Sequence, residues 1–341
     1  MSYLSSLRLT PVKETDRSGK QIKAEVSALC LSNSGSKLVT ARLDKSIKVW
    51  RVTGGSISDA VTIENGHGRG ATSICWNPST ELSFATAGLE PLVKIWTPLG
   101  RLEREVAATG RCKLVQYSSD GRYLAVGNDN RKVFIYSVLA GYGKVAEYDA
   151  ESDVNDIKWC NQGSEILVLA LQSGAVQLLN WNGEHISELR KLTCRFPATC
   201  VMFDVQGRYV AAGSQDGLVY FWRTDDLICV KVLQSTGLDI CSLTTDKEGV
   251  YICVSFVGDC SSKVYDYESL EQVHDLQDLR GLRLRNAVAW FPSKFMFIST
   301  QDRGRTISFT KKDRVEDRRQ DDNGPDDRRR DDRRRDDRRA R

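Results

Sequence analysis

Residues 198–233 read ATCVMFDVQGRYVAAGSQDGLVYFWRTDDLICVKVL. Three apolar runs, ATCVMF, RYVAAGS and LVYFW, are broken by Asp204–Gly207 and by Asp216-Gly217. A fourth run, DLICVKVL, follows a polar link. Asp bonds its own backbone and Gly tolerates a left-handed conformation, so these breaks read as tight hairpin turns. The stretch is a four-stranded antiparallel sheet. Its inner runs are apolar on both faces, so other sheets must cover both.

The same grammar recurs along the chain. Runs closing on an aromatic residue end at Trp50, Trp96, Tyr136, Trp222, Tyr265 and Phe309, and AVQLL ends at Leu179 in the one double-length gap. The spacings are 46, 40, 43, 43, 43 and 44 residues. Six residues before each closing position stand Asp44, Glu90, Asn130, Ser173, Asp216, Asp259 and Arg303, mostly turn formers. Fifteen or sixteen residues before five of them stand Gly35, Gly121, Gly163, Gly207 and Gly249. Pro78 and Pro292 serve the other two units. Seven units of about 43 residues resemble WD40 repeats, and the expected fold is all-β: a seven-bladed WD40 β-propeller with a disordered charged C-terminal tail.

The expected division is a propeller over residues 1–310 and a tail over 311–341. Beyond Phe309 the sequence is almost wholly charged, so the seventh unit has no fourth strand of its own. Leu4–Val12 precedes the first unit and is expected to supply it, closing the ring. Residues 311–341 hold 25 charged residues, and DDRRR recurs with a five-residue period. Such a segment cannot bury enough apolar surface to fold.

Composition narrows the function. Outside the tail, 35 basic residues face 34 acidic ones, so no basic field marks a nucleic-acid binder. No run approaches a membrane span, and no secretory leader is expected at the N-terminus. None of the ten cysteines forms a CxxC pair, and most lie in strand-like runs, as reduced thiols of a reducing compartment would. Three scattered histidines make no metal site; no cofactor, metal or small-molecule substrate is expected. A P-loop, a GxSxG elbow, HExxH and a dinucleotide fingerprint are all missing. The chain reads as a binding scaffold, not an enzyme. His67, with Thr86, Glu90 and Trp96, reads as the structural network of one blade. The candidate RNA or partner contacts are Arg280, Arg283 and Arg285 in the link entering blade seven. Arg328, Arg329, Arg330, Arg333, Arg334 and Arg335 in the tail join them, because guanidinium grips phosphate with two bonds.

One resemblance is more specific. CWNPSTELSFATAG (75–88), YLAVGN (123–128), VNDIKW (154–159), residues 203–233 and VAWFPSK (288–294) together resemble the WD40 subunit of the THO complex. RLDKSIKVW in blade one and TQDRGRTISF in blade seven depart from that pattern. The resemblance implies a non-catalytic nuclear subunit that docks on the large helical THO scaffold subunits and other THO subunits. Through that assembly, TREX, it would sit beside an RNA helicase and export adaptors during transcription-coupled mRNP assembly and mRNA export. The resemblance does not cover the tail, which reads either as a solvated, self-screening polyampholyte or as a weak RNA or protein contact through its arginine clusters. The alternative is a peptide- or histone-reading WD40 module or a ubiquitin-ligase adaptor, which would use a deep charged pocket on the upper face.

Overall fold

The computed structural model describes residues 7–12, 24–53, 56–161, 163–234, 236–257, 262–276, 288–291, 297–301 and 305–312. Among the described residues there are 27 strands and no helix, and every strand pairing is antiparallel. After β1 (Leu7–Pro11), blade one comprises β2 (Val26–Leu31), β3 (Lys37–Arg42), β4 (Ile47–Thr53) and β5 (Ser56–Ile63). Blade two comprises β6 (Ser73–Trp76), β7 (Phe84–Ala87), β8 (Glu90–Trp96) and the first half of β9 (Leu102–Tyr117). The second half of β9 opens blade three, with β10 (Tyr123–Asn128), β11 (Lys132–Ser137) and β12 (Gly143–Asp149). Blade four is β13 (Val154–Trp159), β14 (Ile166–Leu171), β15 (Ala175–Trp181) and β16 (Ile186–Thr193). Blade five is β17 (Ala198–Phe203), β18 (Tyr209–Ser214), β19 (Leu218–Arg223) and β20 (Cys229–Gln234). Blade six is β21 (Ile240–Thr245), β22 (Tyr251–Phe256), β23 (Ser262–Asp266) and β24 (Gln272–Leu276). The remaining sheet has the order β1-β27-β26-β25, from β25 (Val288–Trp290), β26 (Phe297–Gln301) and β27 (Thr306–Lys312).

The innermost strands β2, β6, β9, β13, β17, β21 and β25 each meet the next, and β25 returns to β2. The ring is thus closed around a central channel. The last sheet joins both ends of the described chain: Leu7 pairs with Lys312 and Pro11 with Ser308, and Val12 N donates to Ile307 O at 2.8 Å.

The core lies in the seams between blades. Between blades four and five, Val168, Ala170 and Leu178 pack on Val201, Phe203 and Trp222. Each such side chain contributes about 1.5–3 kcal/mol by burial. A lone blade would lose most of that, so the ring folds as one unit.

Polar staples reinforce the seams. The turns between first and second strands place Gly35, Gly121, Gly207 and Gly249 at φ 71, 71, 74 and 68°. At Gly121 a Cβ would also stand 2.4 Å from Ser79 Oγ. The basic residue after three of these glycines reaches into the next blade. Lys37 Nζ donates to Glu81 O (3.2 Å), Arg122 Nη2 to Ser164 Oγ (3.2 Å) and Arg208 Nη2 to Gly249 O (2.9 Å).

The polar segment 97–110 is not a free link. Its residues from Leu102 form the outer edge of blade two, and the strand runs on into blade three. Gly110, at φ 75°, allows the change of sheet, because a Cβ there would meet Asn128 Nδ2 at 2.8 Å.

Candidate functional site

His67 is the most heavily bonded histidine, and its geometry assigns it to structure. Nδ1 lies 2.8 Å from Glu90 Oε2, and Nε2 lies 2.8 Å from Thr86 Oγ1. Trp96 Nε1 donates to Thr86 Oγ1 at 2.9 Å. With its proton on Nδ1, His67 donates to Glu90 Oε2 and accepts the Thr86 hydroxyl proton at Nε2. Burial pushes the His67 pKa down. Desolvation pulls the Glu90 carboxyl up, but hydrogen bonds from His67 and Gly68 hold it below its usual range. His67 has no exposed surface, and a Cβ on Gly88 would strike its ring at 2.4 Å. It holds the turn after β5 against blade two and presents nothing to a ligand.

The channel is nearly filled. Its upper mouth, on the side of the turns between second and third strands, is a cavity of about 120 Å³. Asn155, Gln172, Thr199, Gln215, Asp239 and Cys241 are among its lining residues. Asn155 Nδ2 already donates to Gln172 Oε1 (3.0 Å) and Ala198 O (2.8 Å). The midsection has about 30 Å³, room for a water. The lower mouth has about 340 Å³ and is lined by Cys30, Cys75, Cys160, Trp76, Tyr117 and Trp159. Both indoles are satisfied: Trp76 Nε1 donates to Cys30 O (3.2 Å) and Trp159 Nε1 to Gln116 O (3.1 Å). Burial pushes the Cys75 thiol up to about 12 and raises Cys30 as well. These are protonated thiols, not nucleophiles. Among the described residues no cluster of His, Cys, Asp or Glu could hold a metal ion.

The outer rim differs from blade to blade. Between blades four and five lies an apolar pocket of about 200 Å³, lined by Ile166, Leu178 and Leu189 on one wall and Phe203, Val210 and Leu227 on the other. Val205 in its lining is exposed, as are Val230 and Val232 on β20 and Ile228 just before that strand. Sequence reasoning missed these residues as a surface. The available signal was the run of aliphatics in DLICVKVL, where other outer strands carry charges. Cys229, on the same strand, is exposed, unlike most of the described cysteines. The arginines singled out from the sequence, Arg280, Arg283 and Arg285 and the tail residues Arg328, Arg329, Arg330, Arg333, Arg334 and Arg335, lie outside the described residues.

Comparison with known proteins agrees with this architecture. The WD domain, G-beta repeat family matches residues 17–51 and 187–223, in blade one and across blades four and five. The chain is an all-β propeller that carries WD40 repeats. Its relatives include THO complex subunit 3 of Arabidopsis thaliana, 25% identical over 273 residues, covering 79% of this chain and 84% of the relative. Protein TEX1 of Saccharomyces cerevisiae is 23% identical over 304 residues, covering 80% of this chain and 69% of that protein. WD repeat-containing protein AAC3 of Dictyostelium discoideum is 24% identical over 234 residues, 61% of this chain and 48% of that protein. The WD40 chain thus aligns with the THO subunit along most of both lengths, and with only about half of the third relative.

Proposed function

We propose that this WD40 propeller is a non-catalytic scaffold subunit of a THO-type assembly in the nucleus. It docks on the large helical subunits of that assembly and supports mRNP formation and export. The observation that carries this reading is the alignment with THO complex subunit 3 along 79% of this chain and 84% of the relative, which leaves little of either protein unaccounted for. The buried, fully bonded His67 and the protonated channel thiols fit a scaffold that does no chemistry. An RNA helicase and export adaptors are then indirect neighbours, and the Arg-rich tail supplies a weak, salt-sensitive RNA contact.

Native purification of the tagged full-length chain tests the reading. The expected result is recovery of THO scaffold subunits in stoichiometric amounts. Recovery of histone or ubiquitin-ligase components in their place overturns it. Truncation after Lys312 separates the tail: RNA crosslinking should fall while recovery of THO subunits stays unchanged.

A further inference from the structure

We infer that the seam between blades four and five is a docking site for another polypeptide, one that inserts a bulky apolar anchor and sets a carboxylate beside Arg190. This rests on the reading above only in requiring a protein partner. Outer strands of a propeller leave one edge unpaired, and charge normally guards such edges. β9 exposes Glu103, Arg104 and Glu105 on its outer half, and β16 exposes Glu188, Arg190 and Lys191. On β20 the exposed side chains include Val230 and Val232, and Ile228 immediately precedes them. The charge on this strand, Lys231, is bound to Glu268 at 2.9 Å. Register shows where the aliphatics point. Val232 stands opposite Tyr220, whose ring packs on the blade-four side of the sheet, whereas Val230 sits in the bulge where the register shifts, beside Lys231, which reaches blade six.

The facing wall is complementary. Leu189 is 54% exposed and lines the pocket. Arg190 stands opposite Leu178, a lining residue, and therefore shares the pocket's side of the sheet. It is exposed and makes no salt bridge among the described residues. Two aliphatics of the pocket lining, Leu189 and Val205, are 54% and 42% exposed, and Val232 faces the same side of blade five. The pocket's volume of about 200 Å³ suits one large side chain, the anchor-in-pocket arrangement of binding hot spots.

The chain's own tail does not fit this site. Residues 313–341 supply many carboxylates, but Val315, Pro325 and Ala340 are their only apolar side chains, and none is an anchor. The tail therefore lacks the anchor that another polypeptide with a Leu, Ile, Phe or Trp would supply.

A panel of synthetic peptides of about ten residues tests the site on the full-length chain by fluorescence anisotropy. Each carries a central Leu, Phe, Trp or Ala, flanked by Glu or by Lys. Peptides with a bulky anchor and Glu flanks should bind saturably, and the Ala versions should not. Leu189→Asp should weaken binding by about tenfold or more without lowering the thermal midpoint. Arg190→Glu, a change at an exposed position, should reverse the preference from Glu to Lys flanks, a readout that misfolding cannot mimic. Binding by no peptide, or binding indifferent to both substitutions, overturns the proposal. So does a concentration-dependent dimer that Leu189→Asp dissolves, which assigns the surface to a second copy. Tighter peptide binding after truncation at Lys312 also overturns it, by showing the tail to be the occupant. Failure to recover THO subunits with the unaltered chain would refute the assembly reading and leave these peptide results standing.

Discussion

Arg42 Nη1 donates to the carbonyl oxygen of Arg305 at 3.1 Å, joining blade one to blade seven across 263 positions of sequence. The same nitrogen donates to Ala24 O, and the side chain is buried. The guanidinium thus fastens the seam where the ring closes. Arg42→Met should cost about 1.5–3 kcal/mol, because it removes the charged donor that bonds the Ala24 and Arg305 carbonyls across the seam. The unfolding midpoint should drop by several degrees, and Arg42→Lys should recover part of the loss. An unchanged midpoint for Arg42→Met would show that the seam holds without it.

The His67 network makes stability depend on pH. Burial sets the folded-state pKa below that of the unfolded chain, which is about 6.5. As pH falls through about 6.5, the unfolded state takes up a proton before the native state does, so stability declines. The decline continues until the depressed native value is passed. Glu90, also lowered, adds loss in the same direction, but only below its ordinary pKa of about 4.5. Thermal midpoints measured from pH 7.5 to 5 should fall, and His67→Gln should flatten that slope while lowering the plateau. Equal slopes for both proteins would assign the pH dependence to other groups.

The parts of this fold legible in sequence are those that local chemistry writes. Asp216-Gly217 and Gly207 mark turns because the backbone there needs them, and Trp222 closes a strand whatever lies beside it. His67, Thr86 and Trp96 could be grouped because their spacing follows one blade. In the polar segment 97–110 the charges hide the strand that begins at Leu102, because an outer strand has one wet face. Arg42 belongs to RLDKSIKVW, which reads as an irregular blade. Its burial depends on Arg305, and no local pattern reports a partner 263 residues away. The exposure of Val230 and Val232 was equally hidden. They form a good strand, and only the reach of the neighbouring blade decides whether they are covered.

Ring closure by β1 gives a further test. Five register pairs and the bond from Val12 N to Ile307 O attach this strand to β27. At about 1 kcal/mol for each hydrogen bond, its removal costs several kcal/mol and also exposes β27 as an open edge. Deleting residues 1–13 should lower the midpoint by about 10 °C and promote aggregation, measured by thermal denaturation with light scattering. A midpoint that does not move would mean the ring is held shut by the blade seams alone.

The Arg208 cluster separates a buried ion pair from an exposed one on a single side chain. Arg208 Nε donates to Asp204 Oδ2 at 2.7 Å, and Nη1 donates to Glu268 Oε1 at 2.6 Å. Asp204 is fully buried, whereas the Glu268 side chain is 63% exposed. The guanidinium also lies 5.0 Å from the centre of the Tyr267 ring, in the seam with blade six. Arg208→Ala leaves the Asp204 carboxylate buried beside an empty space, so it should cost about 3–5 kcal/mol. Glu268→Ala removes a solvent-screened partner and should cost less than about 1 kcal/mol. Asp204→Asn keeps an acceptor for the Arg208 backbone N–H and should fall between them. Denaturant unfolding of the three variants checks the order. Equal losses for Glu268→Ala and Arg208→Ala would mean that the exposed pair carries the whole contribution of this side chain and the buried pair within blade five adds nothing.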